Sequence, residues 1–203
     1  MDLVRKTLGE LLDEIALQFP EKEALVDLCQ GVRYSYKELL AMVNQTAKGF
    51  LKLGLKQGDH LALWSPNRRE WIVTQLALAK IGVVLISIDT NCKREQLEYL
   101  LRQSDSDSLV MAEGMKGSEY IDMIHQLCPE VKEAIPGQLN CRALPKLKNI
   151  ILISGRILGG MFHWGEIMDM GKDIPDRMLA ERQGSCHEED MVTILYTSGT
   201  TGA

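Results

Sequence analysis

The sequence is 203 residues long, 45% hydrophobic and 25% charged, with a formal net charge of −5. That length suits one domain, or one and a half, and the composition is that of a globular chain able to bury a sizeable core. The acidic balance and scattered basic residues leave no stripe for nucleic acid, and no apolar run approaches the length of a membrane span.

Met1 to Lys6 leads into an amphipathic stretch and not into an apolar signal core. Thr7 to Phe19 carries apolar residues at Leu8, Leu11, Leu12, Ile15, Ala16 and Phe19, a helical stripe capped by Thr7 and ended by Pro20. Glu23 to Leu28 and Val32 to Tyr36 read as two short strands joined across Cys29-Gln30-Gly31, a hairpin. A helix over 36–53 follows, with Ser35 as cap, Glu38 completing a capping box and Gly54 placed to end it.

From Gly58 the pattern changes to strands alternating with helices. His60 to Trp64 is a strand, and Ser65-Pro66-Asn67 turns into a helix carrying Trp71, Ile72, Leu76 and Ala79 that closes at Ile81-Gly82. Val83 to Ile88 is a continuous apolar strand, and Lys93 to Gln103 a helix. Leu109 to Ala112 is a third strand, followed by a helix from about Gly117 to Leu127, ended at Cys128-Pro129. Pro136 to Lys148 reads as loop, Ile150 to Ile153 as a fourth strand, and Trp164 to Met170 as a short helix. A polar stretch, 171–189, precedes a last strand, Met191 to Tyr196, short and apolar enough to read as buried. Continuous apolar strands separated by helices predict an α/β fold: a mostly parallel sheet with helices on both faces, preceded by an N-terminal helix and β-hairpin.

The five cysteines (Cys29, Cys92, Cys128, Cys141, Cys186) are an odd set without C-x-x-C spacing. They fit free thiols in a reducing compartment, the cytoplasm, and argue against a disulfide framework or a zinc site. His60, His125, His163 and His187 are scattered. Cys186-His187 is an adjacent pair whose side chains point apart, a weak candidate for nucleophile and base. The ten methionines and three tryptophans read as core filling.

The functional signal is terminal. The last strand runs into Thr197-Ser198-Gly199-Thr200-Thr201-Gly202, two glycines and four hydroxyls in six residues. Glycines let a backbone curl closely around a ligand, and curled N–H groups ringed by hydroxyls seat a polyphosphate. In an open parallel sheet, ligands sit beyond the carboxyl ends of the strands, where this turn falls. Walker A is excluded, since Gly199 and Gly202 are too close together and no lysine follows; no G-x-G-x-x-G follows any predicted strand. The alternative from the residues alone is an ordinary polar tail after a core strand.

Tyr196-Thr197-Ser198-Gly199-Thr200-Thr201-Gly202 resembles the phosphate loop of the adenylate-forming enzymes, the acyl-CoA synthetase and luciferase superfamily. In that family the loop continues through a small residue, proline, lysine and glycine; this chain matches as far as Gly202, so it is expected to be the N-terminal piece of a longer protein. Val32 to Leu39, Gly54 to Asp59, Ser65-Pro66-Asn67 and Gly82 to Asp89 resemble earlier family motifs. Gln126 to Val131, Pro136-Gly137 and Ser185-Cys186-His187 look closest to the medium-chain acyl-CoA synthetases. The resemblance implies an acid:CoA ligase acting on a fatty acid: the carboxylate attacks the α-phosphate of ATP, and CoA then displaces AMP.

On that resemblance Thr197, Ser198, Gly199, Thr200, Thr201 and Gly202 hold the ATP phosphates, and no catalytic or metal-binding residue lies within this chain. ATP, Mg2+ and CoA serve the intact protein, whose adenine, ribose, magnesium and acyl sites are built from later sequence. Residues 1–55 form a helix/hairpin/helix segment that packs on a later sub-domain, and 56–203 an α/β sub-domain ending in the phosphate loop. The fragment alone is expected to be inactive. The competing expectations are another adenylate-former, such as an aryl-CoA ligase or an amino-acid-activating domain, or a non-catalytic truncated interaction module prone to self-association.

Overall fold

The structure, a computed structural model, describes residues 5–28, 30–115 and 118–196. The first helix, α1 (Leu8–Gln18), begins at a reciprocal cap: the Thr7 hydroxyl accepts the Glu10 amide while the Glu10 carboxylate takes the Thr7 amide. Strands β1 (Glu23–Asp27) and β2 (Val32–Ser35) form the antiparallel hairpin, with Cys29 in its turn lying outside the described residues. Helix α2 (Tyr36–Leu53) opens on the Ser35–Glu38 capping box and closes at Gly54, whose φ of 99° is left-handed.

The alternating part then runs β3 (His60–Trp64), α3 (Arg69–Ile81), β4 (Val84–Ser87), α4 (Arg94–Gln103) and β5 (Ser108–Ala112). A small antiparallel ribbon, β6 (Gly114–Met115) with β7 (Ser118–Glu119), leads into α5 (Tyr120–Leu127). This helix therefore starts later than the residue pattern suggests, and Gly117 lies outside the described residues. After a 3-10 turn at Pro129–Lys132 and the expected irregular loop come β8 (Asn149–Ile153), β9 (Phe162–His163), α6 (Trp164–Met170), α7 (Asp176–Gln183) and β10 (Thr193–Leu195).

Among the described residues, six strands pair in the order β10-β4-β3-β5-β8-β9, every neighbouring pair parallel. Side chains alternate across such a sheet, so each apolar run feeds two cores. Ala62, Trp64, Ile86, Met111 and Leu152 face one side, with α4 and α5 over them. Leu61, Leu63, Leu85, Val110 and Ile151 face the other, with α2, α3 and α6 over them. A leucine or isoleucine enclosed this way contributes about 1.5–3 kcal/mol, which is why strands covered on both faces lack polar alternation.

Three helices meet on a buried charge. Lys80, in the last turn of α3, is 2% exposed and donates to Asp13 of α1 at 2.6 Å and to Gln183 of α7 at 2.8 Å. Gln183 in turn donates to Asp13 at 2.7 Å. Helix α7 is absent from the residue-based expectation, which has only a polar stretch there. Its sequence, DRMLAERQ, buries Leu179 alone, so it carries no apolar stripe to read.

The last strand corrects a second expectation. It was expected to be buried; instead β10 is an edge strand, with Thr193 and Leu195 exposed and Ile194 half-buried. Leu195 is 68% exposed and Met191 59%. Among the described residues β10 pairs on one edge alone, to β4, and Ile194 is its residue that packs on the core cluster.

Candidate functional site

Because the strands of the main sheet all run the same way, their carboxyl ends form one edge, from which residues 65–68, 88–93 and 154–161 leave. In β10, Thr193 stands opposite Leu85 and Leu195 opposite Ser87. The Thr193 hydroxyl donates to the Leu85 carbonyl at 3.0 Å, locking the strand's entry. Upstream, Gln57 Nε2 donates to the Ser185 carbonyl at 3.1 Å and to Asp190 Oδ2 at 3.2 Å, tying down the segment between α7 and β10. The candidate phosphate-binding residues, Thr197, Ser198, Gly199, Thr200, Thr201 and Gly202, follow Tyr196 and lie outside the described residues.

The loop beside β10, after β4, is held from beneath. Trp64 and Tyr120 stack with ring centroids 3.7 Å apart and planes 13° from parallel. Each then donates to that loop: Trp64 Nε1 to the Asp89 carbonyl at 3.1 Å, and the Tyr120 hydroxyl to the Thr90 carbonyl at 2.8 Å. Burial first, and the Asp89 charge second, push the Tyr120 phenol above its ordinary pKa, so it stays protonated as a donor. Asp89 Oδ1 accepts the Asn91 amide at 2.7 Å, closing a side-chain turn.

A cavity of about 670 Å³ opens elsewhere on the same edge, lined among others by Arg68, Arg69, Glu70, Ser154, His163 and Trp164. Its charges are already spoken for. Arg68 Nε and Arg69 Nε reach the Glu70 carboxylate at 2.9 and 3.0 Å, and Arg69 also donates to the Tyr34 hydroxyl. Burial raises the Glu70 pKa, but the Arg69 bond, its own backbone amide and Arg68 outweigh that, and it falls below the usual carboxylate value. His163 Nδ1 accepts the Gly165 amide at 3.0 Å and caps α6, leaving Nε2 to donate to the Ser154 carbonyl. With both ring nitrogens engaged, His163 is a structural cap and not a general base.

Cys186 and His187 do not form a catalytic pair. The Cys186 thiol points at the Lys80 and Arg182 carbonyls, at 3.8 and 3.5 Å, and burial, then Asp190, push its pKa upward. A reactive cysteine needs the opposite environment. What sequence reasoning missed is the support: the Trp64–Tyr120 stack joins residues 56 apart in the chain, and the histidine cap at position 163 is a residue type seldom looked for there. No local pattern signals the stack, and the cap's only local sign is Glu166 three residues on, closing a capping box.

An open parallel sheet with helices on both faces is an α/β architecture whose ligands ordinarily sit beyond the carboxyl ends of the strands. Within that class, the AMP-binding enzyme family model matches residues 12–203, and the chain belongs to that family. It is 39% identical over 201 residues to YngI of Bacillus subtilis, provisionally named an acyl-CoA synthetase, covering 99% of this chain and 37% of that protein. It is 36% identical to the human mitochondrial medium-chain acyl-CoA ligase ACSF2, covering 98% of this chain and 32% of that one. An anthranilate CoA ligase, AuaEII, solved with anthranoyl-AMP, shares the fold at a TM-score of 0.77 and 20% identity, over 99% of this chain and 34% of its own. A long-chain-fatty-acid-CoA ligase of Archaeoglobus fulgidus does so at 0.71 and 21%, over 99% and 36%. The chain thus spans about a third of the length of the relatives it matches.

Proposed function

We propose that this chain is the N-terminal part of an ATP-dependent acid:CoA ligase, with a fatty acid as its acid substrate. A carboxylate oxygen attacks the α-phosphorus of ATP, the bond to the bridging oxygen breaks, and pyrophosphate leaves. The CoA sulfur then attacks the acyl carbon of the adenylate and AMP departs. The carboxylate needs no general base, so the protein's contribution is positioning and stabilisation of charge on the departing pyrophosphate. That task falls to Thr197, Ser198, Gly199, Thr200, Thr201 and Gly202, whose amides and hydroxyls would grip the β- and γ-phosphates.

The observation that carries this reading is β10: a strand parallel to β4, its Thr193 pinned to Leu85, leading to the ligand edge of the sheet immediately before those residues. Membership of the AMP-binding family and relatives named as acyl-CoA ligases support it. Magnesium would accompany the ATP and offset phosphate charge. The described residues do not assemble a site that fits it: the Asp89 carboxylate at the end of β4 is bonded to its own turn through Asn91. The ion's protein ligands are therefore proposed to lie in later sequence. No helix among the described residues is long and apolar enough to cross a membrane. Free thiols at Cys92, Cys128, Cys141 and Cys186 suit the reducing cytoplasm proposed as its location.

The test uses the full-length protein, assayed for pyrophosphate and acyl-CoA with ATP, magnesium, CoA and fatty acids of graded length. ATP with magnesium should raise its melting temperature, because a ligand that binds only the folded state must stabilise it. Gly199→Val should abolish that shift. The 203-residue chain alone should show no ATP–pyrophosphate exchange. A full-length protein that ignores nucleotide, or a Gly199→Val variant with unchanged activity, would overturn the proposal.

A further inference from the structure

Away from the ligand edge, three metal-binding side chains converge where α5 ends. Cys128 caps that helix, Glu130 sits in the 3-10 turn after it, and Cys141 comes from the irregular loop before β8. The two sulfurs and a Glu130 carboxylate oxygen all lie within 4.8 Å of one another. Both cysteines are completely buried, while Glu130 is half-buried and offers a way in from solvent.

The cluster is poorly satisfied by protein alone. Glu130 Oε1 accepts the Arg142 amide at 3.3 Å and the carboxylate faces the Cys128 thiol, but Oε2 is enclosed without a well-formed hydrogen bond. The Cys141 thiol reaches the Leu127 carbonyl only at 4.0 Å and otherwise faces the Cys128 thiol. Native proteins seldom leave an enclosed carboxylate oxygen unpartnered, because its desolvation is costly. A dication among these groups would supply the missing partner.

We propose that Cys128, Glu130 and Cys141 form a binding site for a thiophilic divalent cation, Zn2+ by preference. Two thiolates and a carboxylate are a donor set suited to that ion. A tetrahedron with Zn–S of about 2.3 Å and Zn–O of about 2.0 Å has edges of roughly 3.3–3.8 Å, a small contraction from the present cluster. Water on the Glu130 side takes the fourth position. Binding replaces the two thiol protons, which leave to solvent, and gives a site of net charge −1. Because the bound ion replaces thiol protons, affinity should rise with pH.

The role that follows is a clip. Between the 3-10 turn and β8 the chain runs through residues 133–148 without helix or strand, yet it buries Leu139, Cys141, Leu144 and Leu147. An ion bridging Cys128 to Cys141 fastens the middle of that loop to the end of α5. The spacing C-x-E-x10-C contains no C-x-x-C pair, so the sequence alone gave no zinc signal.

The test is made on the full-length protein, reduced and stripped with chelator, then titrated with Zn2+ against a chromophoric competitor and separately with Co2+. The wild type should bind one equivalent that Cys141→Ser lacks, with release of about two protons per ion at neutral pH. The cobalt form should show thiolate-to-metal charge transfer in the near ultraviolet. Glu130→Gln, at a half-buried position that tolerates the change, should weaken binding at least about tenfold. Cys186→Ser should leave the equivalent in place. Equal zinc uptake by wild type, Cys141→Ser and Glu130→Gln would refute the site, as would a cobalt form without the sulfur band. Should Cys141→Ser fail to fold, Glu130→Gln and the cobalt spectrum decide alone.

Discussion

The Lys80 network makes an asymmetric prediction. Removing either partner of an ion pair deletes the same bond, but the two ends differ in solvation: Lys80 is 2% exposed and Asp13 38%. In Asp13→Ala the ammonium keeps a single acceptor, Gln183 Oε1, in a place water does not reach. Stranding a buried charge costs about 3–5 kcal/mol, and the partial exposure of Asp13 puts this case near 3. In Lys80→Met the stem that packs on Gly9 is retained, and Asp13 keeps both the Gln183 amide and water. That change should cost under about 1 kcal/mol. The double variant should recover most of what Asp13→Ala loses.

The pH dependence follows from the same groups. Burial, opposed by the Asp13 bond and charge, sets the Lys80 pKa below the ordinary 10.5. Without Asp13 it falls further, so over a wider range below 10.5 the unfolded chain binds the proton that the folded chain lacks. Stability of Asp13→Ala relative to wild type should therefore rise with pH through that range. Urea unfolding of the four proteins at neutral pH and near pH 10 measures both effects. A Lys80→Met loss as large as that of Asp13→Ala, or a deficit that grows with pH, would refute the reasoning.

Tyr120→Phe removes the donor to the Thr90 carbonyl but keeps the ring on Trp64, so it should cost about 1–2 kcal/mol in urea unfolding and leave Trp64 fluorescence nearly unchanged. A Cβ at Gly49 would stand 2.0 Å from the Ile167 carbonyl of α6, so Gly49→Ala should destabilise by at least about 2 kcal/mol, whereas Gly155→Ala, with nothing within 4 Å, should be near neutral in the same assay. Burial first, then the Asp89 charge, raise the Cys92 thiol pKa from 9.0 to about 11. Its protonated form is favoured in the folded state, so its contribution is complete below pH 9 and fades as pH rises from 9 to about 11, by at most about 2.7 kcal/mol. Cys92→Ala should flatten the alkaline limb of a stability-against-pH curve.

Most of the fold was legible because its signals are local. Thr7 with Glu10 and Ser35 with Glu38 are caps formed within one turn, and Gly54 and Gly82 take the left-handed φ that ends a helix. The apolar runs of β3, β4, β5 and β8 announce strands covered on both faces. Helix α7 escaped because its order comes from outside it, through Gln183 on Lys80 and Asp13 and through Asp176 on Lys48. The candidate phosphate-binding residues are a reading of sequence alone, since 197–202 lie outside the described residues. Residues 197–202 are a contiguous sequence signature, whereas the Trp64–Tyr120 prop and the Cys128–Glu130–Cys141 cluster are assembled by the fold from separate elements.

The position of β10 departs from its composition for a physical reason. An apolar strand sequence states that both faces are meant to be covered; it cannot say what covers them. Here β10 has the composition of an inner strand and, among the described residues, the position of an edge one, with Leu195 68% exposed. Exposed apolar edges recruit another strand, by aggregation if nothing else is supplied. The chain spans 37% of YngI and 32% of human ACSF2, so family members carry sequence able to supply that cover.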